Sequence, residues 1–277
     1  MQTGFHHSRK RIVLEIGAII AFLAAVVWAV LALAGTLAAA ALPIIPTSAD
    51  NKLGEALYPL LAPEAKRCKN PEPAAFVNAL AKPLVDALGE TPYAFEFVVV
   101  ADDTPNAFAL PGGKVAVHMG LLTFAQTPDE VAGVLAHEIS HATGRHTMRN
   151  IAEGLGGTAA LGMLLGWVDL STIAGPALAL SQKAYSRDLE RDADAQGRAL
   201  LLRARMDPWG MSEFFQRLKD QHGNALPPAL LSTHPDPGDR AQAAASGPEP
   251  DGPLRALPAL PRDLKCETAT PEDAATE

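Results

Sequence analysis

No charged side chain occurs between residues 16 and 42, while Arg9, Lys10 and Arg11 stand just in front of that run. Few outcomes are open to such a stretch. About 20 apolar residues span a bilayer as a helix, because only a helix pairs every backbone N–H and C=O within one segment of hydrocarbon. The run is apolar on all sides, which argues against a helix buried in a soluble core. The basic cluster stays on the cytoplasmic side, which places everything after residue 42 outside the cytoplasm. The alternative is a long cleaved signal peptide with a small-residue site within the alanines at 38–41. The run exceeds the usual apolar core of such a peptide, so an uncleaved anchor is the preferred reading.

The remaining length suits one sizeable domain plus extras. A net charge of −8 and the lack of a basic stripe with interleaved aromatics argue against a nucleic-acid partner. Cys68 and Cys266 have no metal-binding spacing. In an oxidising compartment they are a disulfide candidate that would tie down the C-terminal tail.

Residues 43–69 read as a linker, opening with Pro43, Pro46, Ser48 and Asp50. Residues 74–88 read as an amphipathic helix with Phe76, Leu80, Leu84 and Leu88 on one face, and Pro83 marks a kink or the start of a second helix. A valine-rich strand covers 95–100, and two short strands, 107–110 and 114–118, flank Pro111-Gly112-Gly113 as a hairpin. The glycine-rich apolar stretch 154–180, interrupted by Asp169 and Pro176, reads as a helical hairpin, partly buried or against the bilayer, rather than a second span. Helices are expected near 181–202 and 206–221, and residues 247–277 form a Pro-rich acidic tail without structure.

Chemistry enters at His137-Glu138-Ile139-Ser140-His141. Two histidines four apart lie on one helix face and can hold one zinc ion, and the glutamate between them can serve as a base. Thr127, Pro128 and Glu130 supply a helix start with a capping box, and Val131, Val134, Leu135 and Ile139 give it a buried face. A hydrolytic zinc site needs a third protein ligand. On a downstream helix, Glu190 can supply that carboxylate, and Asp194, one turn on, can accept the free imidazole N–H of a ligand histidine. The competing reading is a solvated acidic face with Arg187 and Arg191 as partners. His146 reads as a capping or packing residue, and His118 and His222 as ordinary.

Four blocks then occur in order: Asn106-Ala107-Phe108-Ala109-Leu110-Pro111-Gly112-Gly113, the His-Glu-x-x-His motif, Glu190-Arg191-Asp192-Ala193-Asp194, and Ser232-Thr233-His234-Pro235 with Arg240 further on. Across about residues 70–245 the chain resembles the membrane-associated zinc metallopeptidases that include the HtpX-like, CAAX prenyl endoprotease-like, BepA-like and Oma-like proteases, and is most similar to the last two branches. The resemblance implies one zinc ion per chain on His137, His141 and Glu190, with Glu138 as general base and Asp194 behind a ligand histidine. It implies that Asn106, Ala107, Phe108 and Ala109 form an edge strand for extended substrate. It brings His234 and Arg240 to the site, either as stabilisers of the oxyanion or, for His234, as a fourth ligand that keeps the enzyme latent.

The expected fold is α+β and mostly helical: a gluzincin-like zinc metalloprotease domain with a small sheet, preceded by one N-terminal transmembrane helix. The expected organisation is a cytoplasmic N-terminus over 1–11, the anchor over 12–42, a linker over 43–69, the metallopeptidase domain over 70–246 and a tail over 247–277. The expected activity is cleavage of unfolded or misfolded envelope proteins from the periplasmic side of the inner membrane. The competing class is a zinc-containing chaperone that binds such clients without cutting them.

Overall fold

The apolar run forms α1 (Arg9–Ala41). Its stretch Arg11–Ala29 is long and apolar enough to cross a membrane and buries nothing against the rest of the chain. The computed structural model describes residues 9–155, 170–222, 234 and 250–268.

A short 3-10 turn, Leu42–Ile44, leads directly into α2 (Thr47–Leu61), where a linker was expected. Proline, serine and aspartate cluster at helix starts as readily as in loops. Here Pro46 is the N-cap residue and Ser48 and Asp50 occupy the first turn. Leu53 and Leu57, one turn apart, are fully buried. Gly54 lies on the turn of the hairpin, where a Cβ would come within 1.9 Å of the Pro111 carbonyl oxygen. The folded body therefore begins well before residue 70.

α3 (Pro71–Asp86) is one helix with Pro83 inside it, and it buries Phe76, Val77, Leu80 and Leu84. The strands β1 (Glu96–Val100), β2 (Ala107–Ala109) and β3 (Lys114–His118) make a sheet of order β1-β3-β2 among the described residues. β1 runs parallel to β3, with Val98 opposite Ala116, and β2 runs antiparallel to it, with Phe108 opposite Ala116. β2 is thus an edge strand. After α4 (Met119–Phe124) comes α5 (Pro128–Thr143), buried along most of its length.

α6 (His146–Leu155) and α7 (Leu170–Ser181) lie side by side, with α7 against α2 and α6 against α1. The turn of the expected hairpin, 156–169 with Asp169, lies outside the described residues. α8 (Arg187–Ala204) starts at Ser186, whose side chain accepts from the Leu189 N–H at 3.4 Å, rather than at residue 181. α9 (Gly210–His222) buries Phe214, Phe215 and Leu218.

α3, α5, α8, α9 and one face of the sheet enclose the larger core, and α2, α6 and α7 cover the other side. The tail is not loose over 250–268, although it carries no helix or strand. Leu260 is buried, Leu257 and Leu264 pack on the core, and a disulfide joins Cys68 to Cys266. Three spaced leucines and the cross-link hold a segment whose composition alone reads as unfolded.

Candidate metal centre

α5 is set by its start. Thr127 accepts the Glu130 N–H at 3.2 Å, and Pro128 occupies the first helical position. The Glu130 carboxylate reaches back to the Gln126 N–H at 3.0 Å, one residue before the expected cap. From this start, His137 and His141 project from one face one turn apart, with their Nε2 atoms 2.9 Å from each other.

α8 approaches this face closely because position 197 has no side chain. A Cβ on Gly197 would meet the backbone of Ala136 and His137 at 3.2–3.3 Å. Asp194 and Glu190 lie one and two turns before Gly197 on the same helical face. Glu190 Oε2 lies 3.6 Å from His137 Nε2, and Glu190 Oε1 lies 3.6 Å from His141 Nε2. Asp194 Oδ1 is 3.0 Å from His137 Nδ1, the ring nitrogen that faces away from the cluster. His234 completes the group, its Nδ1 2.9 Å from Glu190 Oε1 and 3.3 Å from His137 Nε2.

One ligand atom from each of His137, His141, Glu190 and His234 lies within 4.8 Å of the others, and all four residues are buried. Ligand bonds of about 2.0–2.1 Å at a tetrahedral ion correspond to edges of about 3.3 Å. The closest separations, 2.9–3.6 Å, bracket that value, and the widest stays within 4.8 Å. Three imidazole nitrogens and a carboxylate are also a donor set that suits zinc. The residues present fit the ion.

Glu138 lies beside the cluster and is 1% exposed. Its Oε2 accepts the Ala109 N–H at 2.9 Å, and its Oε1 is 3.5 Å from His234 Nε2. The edge strand thus reaches the site directly. The bonds joining Leu110 to Lys114 and His118 to Asn106 turn the Ala107 and Ala109 peptides away from β3. At Ala109 that outer edge is used internally: its N–H goes to Glu138 and its carbonyl accepts from Thr147 Oγ1 at 3.2 Å. The Asn106 side-chain oxygen is buried without a hydrogen-bond partner among the described residues.

Two neighbours of the cluster carry no sequence signal of a site, Tyr185 and His146. Tyr185 stacks on His141, with ring centroids 4.0 Å apart and planes at 23°, and its hydroxyl lies 2.7 Å from Thr147 Oγ1. Burial pushes the Tyr185 phenol above its ordinary range. His146 meets the edge of the His141 ring, with the two planes at 82°. Burial holds its imidazole below the ordinary value, and Asp192 opposes that shift. No helical spacing connects His146 or Tyr185 to the motif, so periodicity carried no signal for either. Arg240, the other residue assigned to the site by resemblance, lies outside the described residues, as do Ser232, Thr233 and Pro235.

Comparison with known proteins gives a match to Peptidase family M48 over residues 71–247. A beta-barrel assembly-enhancing protease of Escherichia coli K12 is 29% identical over 204 residues, covering 69% of this chain and 42% of that protein. A Vibrio cholerae protein that carries the same name provisionally is 33% identical over 241 residues, covering 82% of this chain and 49% of its own length. The mitochondrial metalloendopeptidase OMA1 of Schizosaccharomyces pombe is 34% identical over 168 residues, covering 58% of this chain and 48% of that protein. The chain spans about half the length of the curated relatives it matches.

Proposed function

We propose that this chain, which belongs to Peptidase family M48, is a zinc-dependent endopeptidase that cleaves peptide bonds of unfolded or damaged envelope proteins. The observation that carries the reading is the convergence of His137, His141, Glu190 and His234 on one point, with the Glu138 carboxylate buried beside it. A structural metal site has no use for a buried base. The relatives named as beta-barrel assembly-enhancing proteases support an envelope role.

When bound, zinc supplies Lewis acidity toward the scissile carbonyl and makes water acidic enough to lose a proton near neutral pH. The other steps belong to side chains of this chain. Glu138 takes that proton and passes it to the departing amine. The Ala109 N–H holds Glu138 in place through its second oxygen. Asp194 accepts the Nδ1–H of His137, which leaves Nε2 free to ligate. Extended substrate pairs main chain to main chain along β2; Ala107 is buried and the Ala109 groups are engaged, so this edge must be uncovered first.

His234 fits the role of a fourth ligand, so the resting site is closed and must lose His234 to admit water and substrate. The tether is α1, single-pass in the inner membrane, with Arg9, Lys10 and Arg11 cytoplasmic and the domain facing the periplasm. The domain read over 70–246 is extended in space by α2 and by residues 250–268.

A second reading draws on the same closed set. Four protein ligands are also what a structural zinc site has, as in a chaperone that holds unfolded clients. Casein cleavage by the full-length protein in detergent, beside Glu138→Gln and His234→Ala with zinc content measured in all three, separates the two. The peptidase reading expects loss of cleavage with zinc retained in Glu138→Gln, and raised cleavage in His234→Ala. Zinc bound in all three with no cleavage by any of them selects the chaperone. Equal cleavage by wild type and Glu138→Gln removes the base from Glu138.

A further inference from the structure

The turn between α5 and α6 reverses the usual order of residue types. Gly144 has φ −74 and ψ −5, a conformation open to any residue. Arg145, next to it, has φ 57, in the left-handed region that favours glycine. The glycine at 144 is therefore required by something other than its own backbone. A Cβ there would lie 2.5 Å from Nε2 and 2.9 Å from Cδ2 of His146. The imidazole rests on the glycine backbone, and a methyl group does not fit between them.

The left-handed residue turns the chain so that His146 comes back over the end of α5. The His146 Nδ1 lies 3.0 Å from His141 Nδ1, and its Nε2 lies 3.2 Å from Asp192 Oδ2 on α8. His146 is 3% exposed.

We propose that His146 is a positioning residue for the metal centre, accepting the Nδ1–H of His141 and backed by Asp192. The inference rests on the zinc reading of the cluster. The proton count follows from that reading. His141 turns Nε2 toward the other ligands, so Nε2 must offer its lone pair and the ring proton sits on Nδ1. His146 Nδ1 must then accept, its own proton sits on Nε2, and that N–H donates to the Asp192 carboxylate. Each ring uses its single proton, and no group leaves its ordinary charge state. His137 has its outer nitrogen fixed by one carboxylate, Asp194. His141 has an imidazole and a carboxylate in series. Tyr185 covers a face of the His141 ring while His146 meets its edge, so the ligand is held both in plane and in tautomer. Gly144 supplies the space that lets this happen.

The test is zinc retention by the full-length protein in detergent, competed against a chelator of known affinity. Loss of an outer-shell partner weakens metal binding by about 10–100-fold. His146→Leu and Gly144→Ala are both expected to show a loss of that order, the second while the histidine is still in the chain. His146→Gln, whose amide oxygen can accept the same N–H, is expected to recover part of it. Wild-type retention in His146→Leu and Gly144→Ala overturns the proposal, as does a glutamine variant no better than leucine. The unmodified chain gives an independent reading through the ring ¹⁵N shifts of His146. Protonation at Nε2 alone supports the relay, and protonation at Nδ1 overturns it, whether or not any variant folds. A wild-type chain that takes up no zinc counts instead against the peptidase reading, and the His146 tautomer is still read.

Discussion

Arg145 offers the sharpest stability test. Its guanidinium donates from Nε and Nη2 to the two oxygens of Asp50 at 2.8 and 2.6 Å, and from Nη1 to the carbonyls of Leu42 and Ile45 at 2.8 and 2.9 Å. Asp50 is 1% exposed and also accepts the Tyr93 hydroxyl at 2.6 Å. These bonds tie the end of the motif helix to the chain leaving α1. Arg145→Ala leaves a buried carboxylate with one neutral donor and two carbonyls without their partner. Breaking a buried pair in this way costs about 3–5 kcal/mol. Alanine keeps the left-handed strain that arginine already carries, about 1–2 kcal/mol. Arg145→Gly removes the same side chain and relieves that strain. For a chain of this size each kcal/mol moves the melting point by about 2–4 °C, so the alanine variant should melt about 6–20 °C below wild type. The glycine variant should melt a few degrees above the alanine variant, because alanine at positive φ is the costlier residue. Thermal unfolding of the full chain in detergent, followed by near-ultraviolet circular dichroism, reads both. Adding Asp50→Asn and the double variant closes a cycle, in which removing both charges should cost less than the sum of the single changes. An alanine variant within about 2 °C of wild type, or a glycine variant below alanine, refutes the clamp.

Other outcomes follow from single contacts. Replacing Cys68 and Cys266 by serine opens a ring of 198 residues; chain entropy puts the loss at up to about 5 kcal/mol, read as a lower melting point with unchanged zinc content. Gly54→Ala drives a methyl against the Pro111 carbonyl oxygen, and the overpacking, about 1–3 kcal/mol, should exceed the roughly 1 kcal/mol helix gain; a raised melting point would contradict the packing of α2. The Glu96 carboxyl is held below its ordinary value of 4.5 first by the Lys114 hydrogen bond, with burial opposing and Tyr58 adding. A lowered carboxyl stabilises above its unfolded value and loses that contribution as pH falls through the folded one. The melting-point gap between wild type and Lys114→Met should therefore be present at neutral pH and close in acid below about pH 4; a gap that persists there removes the pair as its cause.

Much of the site could be read along the chain because its pieces are local. A His-Glu-x-x-His helix with its own cap places two imidazoles and a carboxylate by helical spacing alone, and Glu190 and Asp194 follow from the same spacing on a second helix. The strand that ends beside Glu138 was legible from its flanking turn. What failed was boundary and composition. Residues 47–61 read as linker because the residues that start a helix also make loops, and 250–268 as loose because Pro258 and Pro261 forbid the helix that the spacing of Leu257, Leu260 and Leu264 would otherwise suggest. Both segments owe their order to what they pack against: Gly54 on Pro111, and Leu260 on the core.

By itself the sequence determined that this chain carries a membrane-length helix and a motif helix able to present two imidazoles and a carboxylate. Spacing within a helix is a covalent matter, set by 3.6 residues per turn. Only the tertiary structure decided which groups stand behind those ligands. His146 reaches His141 because Arg145 is left-handed and Gly144 is bare; Tyr185 covers the same ring from before α8; His234 arrives from 97 residues beyond His137. Each of these contacts depends on how separate elements approach one another, and that distance is fixed by packing, which no single stretch of sequence contains.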